Sequence, residues 1–377
     1  MKMKVRIIAF YLPQYHPIPL NDDWWGPGFT EWTNVASAKP LFHGHYQPRI
    51  PADLGFYDLR LPETREAQAK MAKEAGIEGF MYWHYWFGKG KRILERPFNE
   101  VLESGKPDYP FCLGWANHSW SKKTWTAKNG GDVKKKILEQ TYVPEEFVDH
   151  FYDVLPAFRD PRYIKVDGKP FFLIYNILDM PDVKGFMECW QKLAKENGLK
   201  GIHFVGNVMG HVAEKHKDEV ISSGVDATVL SNLFYGEINS VGVIGTYWQK
   251  FKARILKMGP ERYSYKNFIK VVHNDYEYKE NVYPVVYPQL DRTPRAGKEA
   301  VILTGSTPAL FKQYLKDTLE IIKKKPQENR FLIINAWNEW GEGNYLEPDI
   351  KFGHGYLDAL REVIDCLLYT SPSPRDA

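Results

Sequence analysis

Cysteine is scarce in this 377-residue chain: Cys112, Cys189 and Cys366 are the whole complement. They are odd in number and lack metal-ligand spacing, which excludes a disulfide framework and a zinc knuckle and predicts reduced core thiols. Long apolar runs are missing too. No stretch of 18 apolar residues exists, so no membrane span is predicted. The N-terminus carries charge but no signal-like apolar core, because Tyr11, Gln14 and His16 interrupt it, and a cytoplasmic protein is expected. Charge of one sign is absent: 50 Lys and Arg against 47 Asp and Glu leave a net +3, which gives no basic footprint for nucleic acid. The chain contains no Asp-x-Asp pair to hold a divalent ion on a nucleotide sugar, and no glycine-rich loop opening a helix to cradle phosphate. Gly305-Ser306 before Thr307 reads as a plain helix cap.

What the chain has in abundance is aromatic: 12 Trp, 23 Tyr and 21 Phe, 15 % of all residues. Many stand beside His, Asn and Glu, as in carbohydrate-binding clefts. With 44 % apolar and 26 % charged residues, the composition is that of a globular chain. Short apolar runs at 5–11, 79–86, 111–117, 170–175, 203–207, 227–231, 284–287 and 331–336 predict eight strands. Amphipathic helices are predicted at 62–75, 144–158, 183–197, 307–324 and 354–367, the first opening on Pro62 and ending at Gly76. Near-continuous apolar strands alternating with helices imply a parallel sheet covered on its outer face. Eight such units predict one domain, an α/β (β/α)8 TIM barrel with long βα loops over residues 1–367. The Ser- and Pro-rich stretch 368–377 is set apart as a disordered or non-native tail. Segment 236–281 has poor periodicity and reads as an elaborated connection forming one wall of a cleft. The runs Lys134–Lys136 and Lys323–Lys325 read as solvated faces.

In a barrel of this kind chemistry sits where strands end and the following loops begin. The strand ends here carry Tyr11, Gln14, Tyr15 and His16; Tyr82, His84, Tyr85 and Trp86; Trp115, Asn117, His118 and Trp120; Tyr175 and Asn176; Asn207; Tyr287 and Gln289. The eighth strand runs into Asn335-Ala-Trp-Asn-Glu-Trp-Gly-Glu-Gly-Asn-Tyr-Leu-Glu347, which places Glu339 and Glu342 three residues apart beside Trp337 and Trp340. A pair of acids in the first turn of a helix is the bland alternative. At the mouth of a barrel, aromatic walls desolvate one acid while its wetter neighbour stays ionised, the division that acetal cleavage requires. Glu339 and Glu342 are therefore the expected catalytic pair. Tyr11, Tyr15, His84, Trp115, Asn117, Tyr175 and Trp337 are the expected linings of the sugar subsites, and Glu347 is expected either to orient the pair or to make a structural contact. Loop one, 21–34, with Trp24, Trp25 and Trp32, is long for a βα connection and reads as a lid, which Gln47, Arg49 and Asp53 would anchor by charge pairing.

Several stretches carry a resemblance: FYLPQYH (10–16), WWGPGFTEWTNV (24–35), HYQPRIPADLGFYDLR (45–60), FMYWHYWF (80–87), DPRYIKVDGKPFFLIY (160–175), LTGSTPALF (303–311) and INAWNEWGEGNYLEPD (334–349). Over residues 4 to 366 the chain resembles the WbsX-type domain of bacterial polysaccharide loci, which is similar to glycoside hydrolase family 99, the endo-α-mannosidases and endo-α-mannanases. The resemblance implies a (β/α)8 barrel that cleaves α-glycosidic links of an oligo- or polysaccharide with retention, without cofactor or metal. It implies that Glu339 takes the proton of a sugar 2-hydroxyl, giving a 1,2-anhydrosugar, and that Glu342 protonates the leaving oxygen. Direct attack by one carboxylate on C1 fits the same pair. Where WbsX-type sequences often read W-A-N-E-N-W, this chain has Trp115-Ala-Asn-His118-Ser-Trp120. The alternatives are a WbsX-type glycosyltransferase and a non-catalytic glycan-binding barrel.

Overall fold

The computed structural model describes residues 5–121, 136–208 and 218–369. Eight strands form the core: β1 Arg6–Tyr11, β2 Gly79–Trp86, β3 Phe111–Trp115, β4 Lys169–Ile174, β5 His203–Val208, β6 Ala227–Leu230, β7 Val282–Val286 and β8 Phe331–Ile334. Every neighbouring pair is parallel, from β1–β2 (Ala9 opposite Phe80) through to β7–β8 (Val285 opposite Ile333). Pairing of β8 with β1, Leu332 opposite Ile7, closes the sheet. The molecule is thus a (β/α)8 barrel. A closed sheet leaves no edge, and both faces of its strands are covered, so β3, β5, β7 and β8 are buried at every position.

Helices α1 Pro62–Glu74, α2 Glu146–Arg159, α3 Val183–Glu196, α4 Leu233–Arg254, α5 Pro308–Lys323 and α6 Gly355–Tyr369 belong to the outer layer. Pro62 sits in the first turn of α1, and α5 is capped by Thr307, whose Oγ1 accepts from Leu310 N. Helix α6 runs two residues into the stretch read as a tail; residues 370–377 lie outside the described residues.

The segment of poor periodicity holds most of the long helix α4, bent at Gly242 (φ 73°), then a strand Glu261–Ser264 and a helix Tyr265–Val271. That strand pairs in parallel with Val301–Thr304, which pairs in antiparallel with Leu290–Asp291. This small sheet stands outside the barrel and ties the β6–β7 excursion to the β7–β8 excursion. It matters because Asp291 leads directly into the residues that arm the site.

One charge expectation fails. Lys325 is buried, with Nζ donating to the carbonyls of Lys279 and Val282, and burial lowers its pKa to about 8. A lysine just past a helix end that reaches the carbonyls of a neighbouring segment is indistinguishable in sequence from a solvated one. Of the other run, 134–135 lie outside the described residues. Cys112, Cys189 and Cys366 are all free, and among the described residues no helix is long and apolar enough to cross a membrane.

Candidate active site

After β8 the chain forms a hairpin, not a helix start. Asn338 pairs with Tyr345 and Glu339 with Asn344, and a 3-10 turn over Trp340–Glu342 closes it. Glu339 thus ends one arm while Glu342 lies in the turn. Three devices fix the hairpin. Asn338 uses its amide like a strand backbone, accepting from Leu12 N at 2.7 Å and donating to Leu12 O at 3.0 Å. Tyr15 Oη donates to Asn338 O and accepts from Trp340 N. Trp340 stacks on Tyr345 (3.7 Å between centroids) and donates Nε1 to Glu347 at 2.6 Å.

Glu347 is a buried hub. It also accepts from Tyr57 Oη and Gln68 Nε2, and burial raises its pKa to about 7. Tyr11 Oη donates to Gln68 in turn. Of the two roles left open for Glu347, the structural one describes its position.

The acids meet two arginines that the sequence reading did not single out. Arg295, on the short helix Thr293–Ala296, donates Nε and Nη2 to Glu31 (3.0 and 3.1 Å), Nη2 to Glu339 Oε2 (2.9 Å) and Nη1 to Glu342 Oε1 (2.9 Å). Arg292 Nη2 reaches the same Glu342 oxygen at 2.9 Å. One guanidinium therefore spans three carboxylates. Asp291 anchors this arginine turn: it accepts from Gln47, and from Thr293 through both N–H and Oγ1, and it contacts His45 Nε2 and Arg49. Burial works against the Asp291 carboxylate, but those partners prevail and bring its pKa down to about 2.

Glu31 comes from loop one. It begins the helix Glu31–Ser37, is fully buried, and holds the back of the Arg295 guanidinium. Loop one is thus packed behind the site, and none of residues 21–34 lines the cavity. Trp32 packs on Tyr15, Tyr57 and Trp340. Gln47 and Arg49 anchor Asp291 and Gln289 rather than a lid, and Asp53 pairs with the exposed His354. The glycine in Trp340-Gly-Glu342 follows from the same contact. A Cβ at Gly341 would lie 1.8 Å from Glu31 Oε1 and 2.8 Å from Arg295 Nε, so any side chain there displaces the ion pair.

The environment splits the two acids. Burial raises Glu339, and the neighbouring Glu342 and Glu31 charges add to that rise; Arg295 offsets part of it, leaving a pKa of about 7. Burial acts on Glu342 as well, but Arg292 and Arg295 outweigh it and hold that carboxyl below its usual range. Near neutrality Glu342 is ionised and Glu339 sits at its titration point.

Both acids line a cavity of about 680 Å³ at the C-terminal ends of the strands, a size suited to a small ligand. Trp83, Tyr85, Tyr175, Tyr287 and Phe234 supply aromatic walls, and Asn176, Asn207, Ser231, Asn335 and Asn344 supply amide and hydroxyl groups. Glu237, near the start of α4, is a third acid on the lining; burial raises its pKa to about 8. His118 also lines the cavity, and burial lowers its pKa.

Of the expected subsite residues only Tyr175 faces the cavity. Tyr11 and Tyr15 lie behind it in the hydrogen-bond network just described. His84 Nε2 is 3.0 Å from His150 Nε2 in the core, and burial and Arg92 lower its pKa to about 3. Trp115 is buried with Nε1 on the Trp86 carbonyl. Asn117 ties two loops together, accepting from Asn176 N and donating to Asn176 O. Trp337 is fully buried against Phe80. On β2 the error is one of phase: Trp83 and Tyr85 face inward, so His84 between them faces out. Where both faces of a strand carry aromatics, alternation gives no signal for the phase.

The family profile described as Glycosyltransferase WbsX matches residues 7–360. The chain is similar to the uncharacterized protein WxcX of Xanthomonas campestris pv. campestris (strain B100), with 34 % identity over 373 residues, 95 % of this chain and 49 % of that protein. It thus spans about half the length of the curated relatives it matches. Among solved structures it is similar in fold to a glycoside hydrolase-like protein (TM-score 0.61, 15 % identity, 96 % of this chain and 94 % of the other). It is also similar in fold to the GH99 endo-alpha-mannosidase of Bacteroides thetaiotaomicron in complex with bis-tris-propane (TM-score 0.55, 15 % identity, 97 % and 98 %). From the match across nearly its whole barrel, the chain belongs to the WbsX family.

Proposed function

We propose that this barrel cleaves α-glycosidic bonds of an oligo- or polysaccharide with retention of configuration, using Glu339 and Glu342. The observation that carries the reading is the shared guanidinium. Both carboxylates sit on one Arg295 at the cavity wall, close together, one able to hold a proton near neutrality and the other ionised. Closely spaced carboxyls of unlike proton affinity are the retaining arrangement. Wider spacing would leave room for a water and favour inversion.

The electrostatics support a division of labour opposite to the one the family analogy implies. A carboxylate carrying two arginines on one oxygen is a poor proton donor at neutral pH. Glu339 is therefore the donor to the leaving glycosidic oxygen, whose bond to C1 breaks with its electron pair going to that oxygen. Glu342 faces the positive charge developing at C1, either by bonding to it or by accepting the 2-hydroxyl proton so that the 2-oxygen closes onto C1. Glu339, now ionised, then draws a proton from a water whose oxygen bonds to C1; this breaks the C1–Glu342 bond in the first case, and in the second the C1 bond of the 2-oxygen, which takes its proton back from Glu342. The fold likeness to an endo-alpha-mannosidase puts α-mannans first on the panel of glycans to test, with NMR of the first-released anomer reporting retention.

The pH profile discriminates between the role assignments. With Glu339 as donor, kcat/KM is level from about pH 5 to about 7 and falls about tenfold per unit above it, as the free enzyme loses that proton. A limb that instead rises through pH 7 makes Glu339 the proton acceptor and restores the analogy's assignment.

The family's description sustains one rival, glycosyl transfer from a nucleoside diphosphate sugar. Arg292, whose side chain is 48 % exposed, is the cation placed to take a diphosphate. Calorimetry with UDP- and GDP-sugars is expected to show no micromolar binding. Micromolar binding that is lost in Arg292→Gln replaces hydrolysis with transfer.

A further inference from the structure

Helix α4 turns an apolar stripe outward. Beyond the bend at Gly242, Thr246 and Ala253, seven residues apart, are buried and mark the face packed on the protein. The opposite face carries Ile244, Trp248, Phe251 and Ile255 at helical spacing, joined by Val243 and Tyr247. All are exposed, Ile244 at 86 %, Tyr247 at 70 % and Ile255 at 67 %, and Leu256 and Met258 extend the patch past the helix end. Large apolar side chains contiguous on a surface mark a contact site.

The charge around the stripe identifies its partner. Between Ile238 and Pro260 there is no Asp or Glu, while Lys250, Lys252, Arg254 and Lys257 are interleaved with the apolar residues. Arg254 is 3.5 Å from the buried Glu261; Lys250 and Lys252 lie over the rings of Phe234 and Trp248, their amines at 5.3 and 5.8 Å from the centroids. Trp and Tyr at the centre, Ile and Phe along the stripe and lysines at its margins make an amphipathic interfacial helix. A protein partner of ordinary surface composition would not call for so one-sided a set of cations.

We infer that α4 docks the protein on an anionic lipid surface, lying in the plane of the interface with Ile244, Trp248, Phe251 and Ile255 inserted and the lysines on the headgroups. The first turns of the same helix, through Leu233, Phe234 and Glu237, line the cavity. Docking therefore brings the cavity to glycans displayed on a membrane, a consequence that rests on the glycan-cleaving reading; lipid binding itself is measured without turnover.

The test is flotation of the 377-residue protein with vesicles of phosphatidylcholine alone and of phosphatidylcholine with about one-third phosphatidylglycerol. Binding to the anionic vesicles is expected, and it weakens as sodium chloride is raised. The combined variant Lys250→Gln, Lys252→Gln, Lys257→Gln should bind about a hundredfold more weakly. Ile244→Ser, Trp248→Ser, Phe251→Ser should not float at all, with circular dichroism and thermal unfolding confirming that each variant folds. Absence of wild-type protein from the anionic vesicle fraction overturns the inference. So does a dimer in sedimentation that the serine variant returns to monomer, since a second copy would then be what covers the stripe.

Discussion

Arg295→Met should destabilise the fold by about 3–5 kcal/mol and abolish turnover, because it leaves Glu31, Glu339 and Glu342 facing one another without the cation that joins them. The arginine side chain is 11 % exposed and Glu31 not at all, so solvent cannot replace the lost bonds. At least one of the three carboxyls must then take up a proton at neutral pH, and the ionised partner that the chemistry needs is lost. A drop of roughly 4–6 °C in Tm is the corresponding thermal signal. Arg295→Lys separates charge from geometry. A lysine keeps the cation but cannot span three carboxylates with a planar fork, so stability should partly recover while activity does not. A Tm unchanged in Arg295→Met would mean that the guanidinium does not join these acids in solution.

Glu342→Gln should lower kcat by about 10³-fold or more while glycan affinity changes little. Glutamine keeps an oxygen to accept from Arg292 and Arg295, so the hairpin and the cavity are preserved. What is removed is the negative charge facing C1, which matters in the transition state more than in the bound sugar. Calorimetry on a glycan that the wild type cleaves separates the two effects. Parallel loss of binding and turnover would indicate that Glu342 holds the sugar instead. A wild type that binds a glycan yet cleaves none on a broad panel would establish a binding barrel. Unfolding curves of this variant should overlay the wild type, in contrast to Arg295→Met.

That Glu339 and Glu342 reach the cavity was legible because the pair is local: three residues apart, at the end of an apolar strand, beside tryptophans. The subsite residues were not, because facing inward is a property of a strand's phase. On β2, aromatic residues fill both faces from Phe80 to Trp86, and the barrel alone selects Trp83 and Tyr85. The tryptophans of the hairpin motif were misleading for a related reason. Trp337 and Trp340 suit a sugar platform by type, yet both are fully buried as hairpin packing. Arg292 and Arg295 lie in a stretch without marked periodicity, and Glu31 in a tryptophan-rich loop. Nothing in the local pattern of any of the three points to the others.

By itself the sequence determined the barrel, through eight apolar runs alternating with helices, and the acid pair at its eighth strand, since both rest on short-range periodicity and position. Only the tertiary structure decided how that pair is charged. A carboxyl's proton affinity depends on what lies within a few ångströms of it. Here that means Glu31 from loop one and Arg292 and Arg295 from the β7–β8 excursion, more than 40 residues away from either glutamate and brought together by the closing of the sheet.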